Sequence, residues 1–137
     1  VIREIVTSPL MLRRPSEPAA RADEPVAADL LDTIEAHRAE CVGMAANMIG
    51  QTRRIIVAAD GHGGWLLMYN PQVIEARGPY QAEEGCLSLP GLRTVTRYRH
   101  IRVSFEDSNF VPRTRSFSGE LAQIIQHEVD HCDGVLV

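Results

Sequence analysis

Two periodicities divide the chain. In DEPVAADLLDTIEAHRAEC, from Asp23 to Cys41, Val26, Leu30, Leu31 and Ile34 recur at helical spacing and predict an amphipathic helix. Pro25 suits its first turn, where a backbone N–H has no helical partner, and acidic residues surround the start. From Arg53 the pattern changes to short apolar runs. RRIIVAA (53–59) and GWLLMYNPQVIEA (64–76) predict two strands joined by the turn DGHGG, a hairpin whose second run is interrupted at Asn70-Pro71. LRTVTRYRHIRVSFED (92–107) alternates polar and apolar positions and predicts one or two further strands, ending at Asp107-Ser108-Asn109. A last helix is expected from Ser118, as N-cap, through Glu120 in the first turn to about Cys132. CVGMAANMIG (41–50), bracketed by Gly43 and Gly50, is too compact for an ordinary helix, and the first 24 residues, rich in Pro, Arg and Ala, read as an extended arm and loop. Helix, several strands, helix is the order of an α+β domain.

Composition narrows the class. A chain of 137 residues suffices for one domain with one core, residues 1–137, and not for two. Apolar residues at 45% and charged residues at 23% are ordinary for a globular protein, so a packed core is expected. A net charge of −4 argues against a DNA-binding role, which usually needs a basic face. Arg93, Arg97, Arg99 and Arg102 lie in the alternating segment and read as a solvated sheet face. No apolar run approaches the roughly 20 residues that span a bilayer, and SPLMLRRPSEP breaks up too quickly for a signal peptide. Cys41, Cys86 and Cys132 are odd in number and lack disulfide-like spacing, which favours a reduced, cytoplasmic compartment.

The candidate chemistry lies near the end of the sequence, in QHEVDHCDGV. His127 and His131 are one helical turn apart and project from one face, so both imidazoles can reach a single cation. Glu128 sits about 100° around the helix, beside the position left open for a reactant. A third protein ligand is needed. Gly134 falls where the metzincin pattern H-E-x-x-H-x-x-G-x-x-H has its glycine, but the place of its third histidine is taken by Val137. The remaining candidates are His37, His62, His100, Cys41 and Cys86. Cys86 stands out for its setting, EEGCLSLP, in which Gly85 permits close backbone approach and Pro90 biases Leu89 toward extended geometry.

At this point the chain resembles the peptide deformylases. That family carries G-x-G-x-A-A-x-Q, E-G-C-L-S and Q-H-E-x-D-H in order, and the corresponding segments here are CVGMAANM, EGCLS and QHEVDH. The resemblance implies an α+β fold with antiparallel strands around a central C-terminal helix. It implies one divalent metal ion on Cys86, His127 and His131, usually Fe²⁺, with Zn²⁺, Ni²⁺ or Co²⁺ as substitutes, and water completing the coordination. The implied reaction is hydrolytic removal of the formyl group from N-formylmethionine on nascent polypeptides, with chains at the ribosome as partners. Glu128 is then the general base turned general acid, the N–H of Leu87 an oxyanion donor, and Val42, Gly43, Glu84 and Ile124, more loosely Leu121, the substrate pocket.

The first motif departs from the pattern. Cys41 replaces its first glycine and Met48 its glutamine. In the family that amide hydrogen-bonds the metal-bound water or the formyl oxygen, whereas a thioether donates nothing. Losing one such donor typically costs about 100- to 1,000-fold in rate; Asn47 and Gln51 are the nearby amides that would substitute. Two further readings follow: a deformylase-like protein that binds metal and N-blocked peptide ends with little turnover, and a small metallopeptidase resting on His-Glu-x-x-His alone.

Overall fold

The computed structural model describes residues 1–137. Its elements are α1 (Pro9–Leu12), α2 (Glu24–Ala36), β1 (Gly43–Ala45), β2 (Ile55–Ala59), β3 (Trp65–Cys86), β4 (Leu89–Glu106), β5 (Pro112–Ser118) and α3 (Gly119–Cys132). Short 3₁₀ turns at Arg21–Asp23 and Ala46–Ile49 lead into α2 and follow β1. The strands form one antiparallel five-stranded sheet in sequence order, β1-β2-β3-β4-β5. This is an α+β arrangement.

Strand alternation divides the core between the two faces of the sheet. On β2, Ile55 and Val57 join Leu30 and Ile34 of α2, while Ile56 and Ala58 join Ile125, Val129 and Cys132 of α3. The α3 side is completed by Ile101, Val103, Phe105 and Phe117 from β4 and β5. Helix α3 is therefore buried almost all round, including its polar Gln126, His127, Glu128 and His131. A helix end in that setting cannot move far without disturbing a close-packed interior.

Four expectations need correction. The first helix ends at Ala36 rather than Cys41, because His37 closes it and the chain turns over residues 37–40. β3 runs on to Cys86, ten residues past the expected end at Ala76. Gly78-Pro79 falls inside this strand; beyond Tyr69 one edge of β3 has no strand neighbour, and a proline is tolerated on such an edge. β5 was not expected, since PRTRSFS buries only Phe117. Ser118 stands at the N-cap of α3 but makes no capping hydrogen bond with its side chain. The N-terminal arm is mostly as expected, with α1 added and Leu12 pinned in the core. At the expected interruption, Asn70 adopts φ 52° where the β3–β4 register shifts, and its amide ties the arm down through Ala19 and Glu106.

Candidate metal centre

Helix geometry brings His127 and His131 together, and their Nε2 atoms are 3.2 Å apart. Cys86 arrives from the last position of β3, held by its pairing with Leu89 across the tight turn Leu87-Ser88. Its Sγ lies 3.3 Å from His131 Nε2. The three ligand atoms lie within 4.8 Å of one another, a convergence of one sulfur and two nitrogens. The Ser88 N–H donates to Cys86 Sγ at 3.4 Å and helps fix the side chain at the turn.

The orientation of His127 is fixed from behind. Glu84, buried two residues before Cys86 on β3, accepts from His127 Nδ1 at 2.8 Å. A carboxylate can only accept there, so Nδ1 carries a proton and Nε2 is the nitrogen turned to the cluster. Glu84 is itself held by Arg97, whose guanidinium donates at 2.7 to 3.2 Å, and by Gln123 Nε2 at 2.9 Å. The other arm of Arg97 reaches Asp130 at 2.6 Å, so one buried arginine joins β3, β4 and α3. Burial works to raise the Glu84 carboxyl, but hydrogen bonds from His127, Arg97 and Gln123 outweigh it and hold it at about 2.

As protein groups alone, the two imidazoles titrate apart. Burial opposes charge on His127, yet Cys86 and Glu84 overcome it and raise the group to about 10. Burial, assisted by His127, drives His131 down to about 3. Opposed imidazole nitrogens and a thiol in a buried space are a poor proton-sharing set and a good donor set for a transition-metal dication. The residues present therefore fit a metal ion.

Beside this cluster lies a cavity of about 250 Å³ lined by Cys41, Val42, Gly43, Met48, Glu84, Cys86, Leu87, Ile124, His127 and Glu128, among others. Burial raises the Glu128 carboxyl to about 7, and its Oε1 has no hydrogen-bond partner in the protein. A buried carboxylate without donors is poised to take up a proton. Gly43 is required for this placement. A Cβ there would stand 2.7 Å from both Glu128 Oε2 and Ile124 Cγ2.

Every residue expected at the metal or in the pocket lines this cavity except two: His131 is wholly buried behind it and joins through the ligand cluster, and Leu121, on α3, packs half-buried against the core. Glu84 is at the wall, but its carboxylate is directed at His127, Arg97 and Gln123. His37, His62 and His100 stand outside the ligand cluster. Neither nearby amide replaces the missing glutamine: the Asn47 Nδ2 donates to the His131 carbonyl at 2.8 Å, and Gln51 is exposed and away from the cavity. Met48 is buried in the glutamine's place, accepting from the Ala45 N–H at 3.5 Å. Cys41 donates its thiol proton to the Gly43 carbonyl at 2.9 Å, and burial pushes its pKa up to about 11.

Arg97 is the residue that sequence reasoning missed, and the reading of it as part of a solvated face is overturned: it is 4% exposed. The signal was its parity, which it shares with buried Ile101, Val103 and Phe105 on β4.

The polypeptide deformylase family model matches residues 2–137. A peptide deformylase of Clostridium beijerinckii is 44% identical, covering 100% of each chain. A peptide deformylase of Legionella pneumophila has a similar structure, with a TM-score of 0.88 and 34% identity, covering 99% of this chain and 83% of that one. An actinonin-bound class I type b peptide deformylase of Acinetobacter baumannii superposes at 0.88 with 26% identity, covering 99% and 95%.

Proposed function

The chain belongs to the peptide deformylase family, and we propose that Cys86, His127 and His131 hold the single divalent metal ion, Fe²⁺ in the native state, with which it removes the formyl group from N-formylmethionyl peptides. The reading also takes residues 1–137 as one catalytic domain and places its substrates among nascent chains emerging from the ribosome. It is carried by one observation: a sulfur and two imidazole nitrogens within 4.8 Å of one another, beside a cavity whose wall also holds an unpartnered carboxylate.

A bound divalent ion supplies a water of much lower pKa and polarises the formyl oxygen. The protein supplies the rest. Glu128 accepts the proton of the attacking water and passes it to the departing amine, so that methionine leaves as the neutral amine and formate as the acid product. Its position against Gly43 keeps the carboxylate close to the strand along which the substrate must lie. The backbone N–H of Leu87, beside Cys86 in the same wall, is the donor assigned to the developing oxyanion. The methionine side chain enters between Val42 and Ile124. Glu84 holds the His127 proton on Nδ1 and thereby keeps the opposite nitrogen free for the ion.

The test is formate release from formyl-Met-Ala by protein loaded with Fe²⁺, Ni²⁺ or Co²⁺. Glu128→Ala is expected to abolish most turnover while retaining one metal per chain. Absence of formate with all three ions overturns the activity. Binding of metal and of formylated peptide without turnover would instead favour the binding-protein reading, which the buried Met48 thioether motivates.

A further inference from the structure

β1 is an edge strand, paired only with β2. Its register with β2 sets Gly43 opposite Ala58, and the Ala59 N–H donates to the Val42 carbonyl at 2.7 Å. In an antiparallel ladder alternate residues exchange hydrogen bonds, so Val42 and Met44 face β2 and the polar groups of Gly43 and Ala45 face away from it. The contacts agree: the Ala45 N–H is taken by Met48 Sδ, and the Gly43 carbonyl by the Cys41 thiol. Gly43 lies in the cavity wall against Glu128, so its carbonyl marks where an incoming peptide edge can pair with β1.

A thiol proton on that carbonyl excludes a substrate N–H from the same lone-pair direction. We propose that Cys41 is a specificity-determining residue, whose thiol competes with the backbone N–H of a formylated peptide for the Gly43 carbonyl. Substrates with that N–H must displace the thiol, and their binding is weakened by the hydrogen bond they break. Burial keeps the thiol protonated at neutral pH, so the competing donor is present under working conditions. The inference rests on the deformylase reading for the choice of ligand, but binding tests it whether or not turnover occurs.

The experiment compares metal-loaded wild type, Cys41→Ala and Cys41→Ser. KM and Kd are measured for formyl-Met-Ala, and Ki for its analogue methylated on the formamide nitrogen, which lacks the N–H. Removing one net hydrogen-bond competitor should tighten formyl-Met-Ala by about twofold to tenfold in Cys41→Ala. The change belongs in KM and Kd rather than kcat. Cys41→Ser, which keeps a donor, should show the smaller gain, and the methylated analogue no gain. In wild type the S–H stretching band should move to higher frequency when formyl-Met-Ala binds, a readout that needs no variant. Cys132 lies outside the cavity and does not report this change. An unmoved S–H band, or equal tightening of both ligands in Cys41→Ala, overturns the proposal. Binding without turnover in wild type would remove the reaction assignment and leave the competition measurable.

Discussion

Gly43→Ala is the substitution whose effect is most directly worked from geometry. The added Cβ would lie 2.7 Å from Glu128 Oε2 and from Ile124 Cγ2, whereas ordinary contact begins at 3.4 Å, so both neighbours must retreat by about 0.7 Å. Gly43 does not have a positive φ, so alanine meets no backbone strain there. The penalty is steric. Overpacking costs about 1–3 kcal/mol, and the loss of glycine's freedom in the unfolded chain offsets about 0.4–1 kcal/mol of it. For a chain of this size the net cost corresponds to a Tm lower by roughly 2–6 °C. With Glu128 in its proposed role, the larger effect falls on catalysis, because its carboxylate is the group displaced. A misplacement near 1 Å costs on the order of 100-fold, so kcat/KM should fall by roughly 30- to 100-fold. Glu128 is not among the proposed metal ligands, so metal content should remain at one ion per chain. The assay is formate release at matched metal occupancy, with Tm measured on the same samples. Wild-type kcat/KM in a folded, fully loaded Gly43→Ala protein would refute the placement of Glu128 against β1.

Two further outcomes follow from the same site. Arg97→Met leaves Glu84 and Asp130 buried or half-buried without their shared cation, so stability should fall by about 3–5 kcal/mol and metal affinity by about 10- to 100-fold; thermal unfolding and chelator competition measure the two, and no change in either would contradict the role given to Arg97. Met48→Gln places an amide in the cavity wall at nearly the same volume, and restoring one oxyanion donor should raise kcat by up to about 100-fold or more; an unchanged, already high rate in steady-state assays would show that the thioether costs the enzyme nothing.

How much of this could be read from the sequence depended on what signal each element carried. The His127–His131 spacing and the EGCLS segment each encode geometry locally, one through helical pitch and the other through a rigid strand end, so the convergence of Cys86 with the two histidines could be anticipated before any tertiary structure. β5 was not, because its outward residues are polar and only Phe117 buries. The far half of β3 was hidden for a related reason: Gly78-Pro79 looks like punctuation in one dimension, and only the missing neighbour along that edge shows why a strand tolerates it. Arg97 was misread because a charge suggests solvent, and its two carboxylate partners come from β3 and α3, 13 residues before it and 33 after it in sequence. The bond between Cys41 and Gly43, by contrast, spans two residues but has meaning only once β1 is known to be an edge.

The central claim is that one ion is gripped by a mid-chain thiolate and two imidazoles of α3. X-ray absorption at the metal edge of zinc-loaded protein tests it most directly. The account predicts one sulfur at about 2.3 Å and two imidazole nitrogens at about 2.0–2.1 Å. A first coordination shell made only of nitrogen and oxygen would contradict it.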